Sequence, residues 1–208
     1  MRRVLVELHY LPCIAYFSLL SKFDEIVIEQ HENYNKQSYR NRCRILGANR
    51  VEQLVIPLTG KHGKTKIRDV QIDYTQRWQN NHWRSIESAY RKAPYFEHYA
   101  DELRETLYFA PPYLFNFNKN LLEKCLTWLG YAPTILFSRT FDKSPEGVTD
   151  LRDQIHPKHG GKSLSYFQPA AYHQVFGETF VENLSIIDLI FCQGPEAVSI
   201  VRRSMKGA

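Results

Sequence analysis

The order in which hydrophobic periods change along the chain most constrains how it can fold. Short apolar runs occupy residues 4–9, 25–29, 42–46 and 53–58. Residues 75–129 then carry three successive segments of helical spacing, and a further apolar run follows at 133–138. Regular alternation of strand and helix builds an α/β fold, whereas helices grouped between strands point to an α+β one. The expected architecture is α+β: a single domain over residues 1–208, with a mixed β-sheet and helices packed against it. A chain of 208 residues, 43% apolar, has enough volume for a sizeable core. It has no internal repeat, low-complexity tract or interdomain linker.

Locally, the strand at 4–9 is stopped by Pro12, and Ile14, Phe17, Leu20 and Phe23 have the spacing of a short amphipathic helix. With the run at 25–29 this makes a β-α-β start and a parallel pair, although the connection is short. The runs at 42–46 and 53–58 flank Gly47-Ala48-Asn49-Arg50, a hairpin turn. Residues 60–66 read as a flexible basic loop, and 67–72 as a returning strand. Thr75 is placed to cap a helix reaching about Lys92, where Ala93-Pro94 ends it. A second helix covers about 95–109, before Pro111-Pro112, and a third about 115–129, finishing at Gly130. Residues 133–138 read as a central strand, 142–150 as a loop and 151–155 as a helical turn. A basic glycine-containing loop is expected at 156–165, an extended stretch at 166–176 and a buried helix at 184–193.

A formal net charge of +5 and a pI near 9.0 tilt the expectation towards anionic partners. No nucleic-acid module signature occurs, so nucleic acid is not an expected partner. The four cysteines are far apart, without the spacing of a zinc site. Reduced thiols in a cytoplasmic protein are expected. No apolar run has signal-peptide length or approaches the roughly 18 residues of a membrane span, so no transmembrane segment is expected.

The richest chemistry lies in residues 32–45, Glu-Asn-Tyr-Asn-Lys-Gln-Ser-Tyr-Arg-Asn-Arg-Cys-Arg-Ile. Read as a strand, it places Lys36, Ser38, Arg40, Arg42 and Arg44 on one face, and Gln37, Tyr39, Asn41, Cys43 and Ile45 on the other. Clustered guanidiniums are unfavourable unless hydrated or bridged by an anion, and their forks match carboxylate and phosphate. Either a solvated strand face or an anion site satisfies the pattern. His82 shares a helical stripe with Trp78, Ile86 and Ala89, as a core histidine or a desolvated base. Asp188 sits among Ile186, Ile187, Leu189, Ile190 and Phe191; with Ser185 it has the spacing of a capping pair, and the other reading is a substrate-facing or catalytic carboxylate. Cys13 reads as a buried thiol or, near a helix start, a reactive one. The cationic glycine-rich residues 156–162 lack the phosphate-loop pattern and read as a lid at most.

These pieces together resemble the WbqC-like protein family. The matching features are Tyr10-Leu11-Pro12 with Ala15-Tyr16-Phe17; Asn41-Arg42; Ile56-Pro57; Trp78 with His82; and Ala89-Tyr90 with Ala93-Pro94-Tyr95-Phe96. Residues 184–189, Leu-Ser-Ile-Ile-Asp-Leu, and Gly194 complete the set. The resemblance implies a bacterial protein associated with surface polysaccharide (O-antigen-type) assembly, with acyl or aminoacyl transfer, glycyl included, to a sugar. It implies no particular cofactor. Glu7-Leu8 and Pro12-Cys13-Ile14-Ala15 depart from the Gln-Pro and Pro-Trp-Leu-Gly that the family often has there; if that turn contacts substrate in relatives, this branch differs in substrate or has left the polysaccharide role. On this reading His82 or Asp188 supplies the base, and Asn41 or Arg42 the oxyanion donors. Arg40, Arg42, Lys64 and Lys66 hold phosphate, and Lys36 and Trp78 join the substrate-binding set. The expected partner is a phosphate-bearing sugar or another anionic small molecule, with Asn41, Arg42, His82 and Asp188 bordering one cleft. The alternative is a non-catalytic protein binding an anionic glycan or carrier.

Overall fold

Strand β1 (Arg3–Val6) runs into helix α1 (Ile14–Leu20) and returns as β2 (Glu25–Ile28), parallel to β1 with Val4 opposite Ile26. This computed structural model describes residues 2–60, 64–157 and 164–206. The expected β-α-β start is therefore present, and its short connection is made by a strained turn. Leu11, buried, has φ 41°, and the strain is held by Ser185 Oγ donating to the Leu11 carbonyl at 2.9 Å and the Tyr10 amide donating to the Tyr39 carbonyl at 2.9 Å. All seven residues of α1 are buried, so the helix lies inside the protein rather than on it.

Two later strands extend the sheet. Strand β5 (Thr134–Phe137) pairs with β2 and β6 (Thr149–Asp150) with β1, both parallel, giving the order β5-β2-β1-β6. The run at 133–138 is thus an edge strand and not a central one, with Leu136 and Phe137 exposed. The stretch 142–150, expected to be loop throughout, contributes β6 at its end. The hairpin β3 (Arg42–Leu46) and β4 (Val51–Val55) forms a separate antiparallel pair, closed by the Gly47 amide donating to the Arg50 carbonyl at 3.0 Å. Parallel and antiparallel pairing are both present, in two sheets instead of one.

The central helices are α2 (Trp78–Tyr90), α3 (Phe96–Tyr108) and α4 (Leu114–Trp128). The stripe Trp78, His82, Ile86 and Ala89 is buried as its spacing requires. Helix α2 begins three residues after Thr75, which instead donates its amide and hydroxyl to Asp73 at 2.9 and 2.6 Å. Residues 67–72 form a short 3-10 turn (Ile67–Asp69) and isolated bridges where a strand was expected. Residues 151–155 are turn and bend, and 166–176 is irregular apart from a bridge between Phe167 and Met205. Helix α5 (Ile186–Gln193) is the expected buried helix. A sixth, α6 (Ala197–Arg203), was not foreseen, since its β-branched Val and Ile residues carry little helical propensity. Packing on α1, with Ser18 Oγ donating to the Val201 carbonyl at 2.9 Å, settles it. Among the described residues, no helix is long and apolar enough to cross a membrane.

Candidate functional site at the carboxyl edge of the parallel sheet

Parallel strands end on one side, and the chain leaves this sheet carrying charge from each strand. Glu7 and His9 follow β1, Glu29 and Glu32 follow β2, Ser138 follows β5, and Arg152 and Asp153 follow β6. β1 has β2 on one side and β6 on the other, so connections diverge there, the arrangement that opens a ligand crevice at the carboxyl ends of parallel strands. A cleft of about 520 Å³ lies at this edge, lined among others by Glu32, Tyr34, Phe141, Lys143, Arg152 and Asp153. That volume is within the range of small-molecule sites.

Arg40 is the hub. It belongs to a 3-10 turn (Tyr39–Asn41) entered through Gln37, whose φ is 58°, and Ser38, whose hydroxyl accepts from the Arg40 amide at 3.4 Å. The expected strand alternation therefore does not begin until Arg42, and Arg40 turns inward instead of joining an exposed cationic face. It is 0% exposed. Its Nε and one terminal nitrogen donate to the two oxygens of Glu32 at 2.8 Å each. Both terminal nitrogens also donate to Asp153 Oδ1 at 3.1 Å. The Asp153 amide in turn donates to Glu7 Oε2 at 3.1 Å, and Glu7 Oε1 meets His9 Nε2 at 3.0 Å. Alongside, Arg152 donates to Glu29 at 2.9 Å and to Asp150 at 2.9 and 2.6 Å, while Ser138 Oγ donates to Glu29 at 2.8 Å. Five carboxyl groups thus meet two guanidiniums and one imidazole.

The excess of carboxylates pushes neighbouring groups in opposite directions. Burial raises Glu32, Arg40 pulls it down, and Glu7 and Asp153 raise it again, leaving it at about 7. Burial acts upwards on Glu7 also, but the His9 hydrogen bond and charge, with Arg40, outweigh it and hold that carboxyl at about 2. Two nearby carboxyls are thus held far apart in pKa, a separation that catalytic carboxyl pairs also show. They also fix the sign of the pH dependence. Glu32, raised in the folded state, contributes stability that is present below its ordinary value and is lost as pH rises through about 7. Glu7 contributes above its ordinary value and loses it as pH falls through about 2. Urea midpoints should therefore fall between pH 5 and 8 by the equivalent of on the order of 3 kcal/mol, and Glu32→Gln should flatten that slope. A slope unchanged in Glu32→Gln would contradict the assignment.

The other expected site residues divide into two groups. Lys36 follows the cleft-lining Asn35, and Lys66 bridges to Asn33 while the Tyr34 amide donates to the Thr65 carbonyl at 2.9 Å. Lys36, Lys64 and Lys66 are thus next in the chain to, or bridged to, the cleft-lining segment 32–35 and do not themselves line the cleft. Residues 61–63 and 158–163, central to the two expected basic loops, lie outside the described residues. Arg42 is half-buried on β3 beside Tyr34, and its Nε is buried without a hydrogen-bond partner. Asn41 points the other way, donating to the Ile56 carbonyl at 2.9 Å.

Trp78, His82 and Asp188 sit apart from the cleft. The Trp78 ring packs on His82 at 5.0 Å and on Phe117 at 5.6 Å, and His82 Nδ1 meets the Tyr10 hydroxyl at 2.9 Å. Burial pushes His82 down to about 4, so it is a neutral core histidine. Asp188 is not a cap: Ser185 Oγ is engaged with Leu11, while Asp188 accepts from Tyr172 and, at 3.0 Å, from Gln174. Gln174 also ties down both backbone groups of Val181. Asp188, raised by burial, therefore fastens the 172–181 segment to α5. None of the four side chains expected to border one cleft, Asn41, Arg42, His82 and Asp188, lines the cleft at the carboxyl edge. Cys13 is buried, its thiol raised to about 11 by burial, which makes it unreactive. Among the described residues, no group of three or more His, Cys, Asp or Glu is placed to hold a metal ion.

Sequence reasoning missed Glu7, His9, Glu29, Glu32, Arg152 and Asp153 as a set. The signal was present: charged residues stand immediately after each apolar strand. Fold and site together define an α+β protein with a carboxylate-rich cleft at the carboxyl edge of a parallel sheet. The chain belongs to the WbqC-like protein family, whose model matches residues 8–162 and 144–200. It is 28% identical to an uncharacterised protein of Mycobacterium tuberculosis over 230 aligned positions, covering 95% of this chain and 96% of that one. No solved structure matches it.

Proposed function

We propose that this protein transfers an acyl or aminoacyl group, glycyl included, to the amine of a sugar carried on a phosphate ester, in the cytoplasmic stage of bacterial surface polysaccharide biosynthesis. The observation that carries the reading is Glu32, a cleft-wall carboxyl poised at about 7 beside a guanidinium. An ammonium must lose a proton before it can attack an acyl carbon, and a base works best when its pKa lies near the working pH. In this reading Glu32 takes that proton. The amine nitrogen then bonds to the acyl carbon, the tetrahedral intermediate collapses, and the carrier heteroatom leaves with the bonding pair and takes up the second proton that the nitrogen sheds. The surplus carboxylates attract the ammonium and accept from sugar hydroxyls, while Lys143 in the cleft, with Lys36, Lys64 and Lys66 from the neighbouring segments, takes the phosphate. Neither His82 nor Asp188 has a catalytic role here. A non-catalytic receptor for a polyanionic glycan fits less well, because five carboxylates repel such a ligand.

The test is a nucleoside-diphosphate amino sugar incubated with acyl thioesters or glycyl-tRNA and followed by mass spectrometry. The wild type should add the acyl mass, and Glu32→Gln should slow the step by about 10²–10⁴-fold, the usual range for a general base. Equal calorimetric affinity for the free-amine sugar and its N-acetyl counterpart would reject the reading.

A further inference from the structure

The two sides of the Arg40 guanidinium are occupied unequally. Glu32 offers each of two donors its own oxygen at 2.8 Å. On the adjoining edge, which shares one terminal nitrogen with the first, both terminal nitrogens converge on one oxygen, Asp153 Oδ1, at 3.1 Å, and Asn35 Nδ2 reaches the same oxygen at 3.5 Å. A guanidinium edge fits two acceptor oxygens, so this second contact is incompletely matched. Burial is unequal too. The side chains of Arg40 and Glu32 are 1% and 8% exposed, and that of Asp153 is 52% exposed. Asp153 also has φ 58°, left-handed for a residue with a Cβ, and its amide is anchored separately on Glu7. Its carboxylate can therefore swing into solvent while its backbone stays in place.

We infer that the Asp153-facing edge of Arg40 is the receptor for a two-oxygen anionic group of the substrate, a carboxylate or a phosphate, and that Asp153 fills it as an internal stand-in until the substrate displaces it. The incoming group gives each terminal nitrogen its own acceptor. The site's charge does not change, because one anion replaces another as Asp153 moves into water. This explains how an arginine with no free edge serves a substrate at the cleft wall. The inference rests on reading this cleft as the substrate site, and is independent of the transfer chemistry.

Calorimetry with acetate and with inorganic phosphate, on the wild type, Asp153→Gly and Asp153→Asn, tests it. Glycine removes the carboxylate and suits the left-handed backbone; asparagine tolerates that backbone and keeps the shape without the charge. Asp153→Gly should bind one or both anions at least tenfold more tightly than the wild type, and Asp153→Asn should gain less. The anion that gains identifies the substrate group as carboxylate or phosphate. Arg40→Lys placed on Asp153→Gly, checked for folding by thermal melting, should lose most of the gain, because an ammonium lacks the fork. If neither Asp153 variant binds either anion more tightly, Asp153 is a permanent structural partner and the inference is overturned. A gain in anion affinity with a Glu32→Gln enzyme that still transfers at full rate would keep this site and reject the transfer mechanism; the reverse pattern would do the opposite.

Discussion

Arg40→Met should lower the stability of the protein by about 3–5 kcal/mol, the cost of leaving buried charge without its partner. The change removes the donors of four hydrogen bonds to Glu32 and Asp153, and a cation that also acts on Glu7. For a chain of this size the melting temperature should fall on the order of 10 °C. The loss should be smaller at pH 5 than at pH 8, because below about 7 Glu32 is already protonated and leaves no orphaned charge when Arg40 is removed. Replacing both members, Arg40→Met with Glu32→Met, should recover much of it, since an apolar pair of similar volume leaves no orphaned charge. A solvated arginine on a strand face would instead give a change within about 0.5 kcal/mol. The melting curve of the single variant decides between the two descriptions.

Gly194→Ala should cost about 2–4 kcal/mol, from left-handed backbone strain and overpacking together. Gly194 ends α5 with φ 52° and ψ −124°, a combination that crowds any Cβ. A methyl there would overlap the Tyr95 ring, lying within 2.6 Å of its Cγ and Cε1. The Tyr95 backbone cannot retreat from α5, because its amide donates to the Phe191 carbonyl at 3.0 Å, so relief requires the ring to rotate out of its place. Adding Tyr95→Ala should relieve the overlap and leave the backbone strain, so the double variant should be more stable than the sum of the two single effects. Strict additivity in urea denaturation would refute the ring contact as the cause.

The helices were legible because their information is local. Trp78, His82, Ile86 and Ala89 declare a buried stripe whatever they pack against, and Pro111-Pro112 and Gly130 end α3 and α4 by backbone geometry alone. Strand placement was less legible. Nothing within Thr134–Phe137 says that β2 pairs with only one of its edges, and an apolar run reads alike at the centre or the rim of a sheet. Arg40 was misplaced because the strand pattern of 42–46 was extended backwards through Gln37, whose left-handed backbone breaks it. The acid cluster was invisible for a different reason. Glu7, Glu32 and Asp153 are far apart in the chain, and they meet only because β6 docks beside β1. Lys66 could be picked out as a cation, but not as a neighbour of the cleft-lining Asn33, until the bridge between the two was known.

That strand order also dictates when the cleft can exist during synthesis. β1 and β2 emerge from the ribosome early and can pair at once, but the contacts completing the edge span long stretches of chain. Gln30 and Ser138 are 108 positions apart, and Glu29 and Arg152 are 123 apart. Closing loops of that length is slow, and contacts of this separation are the last that a growing chain can make. Until residue 153 is translated, Arg40 lacks one of its two carboxylate partners and the edge of β1 that receives β6 is bare. Nascent chains stalled before that point should therefore contain helices α2 to α4 but an incomplete cleft edge, so hydrogen-exchange protection of β1 on the side that receives β6 would report that translation had passed β6.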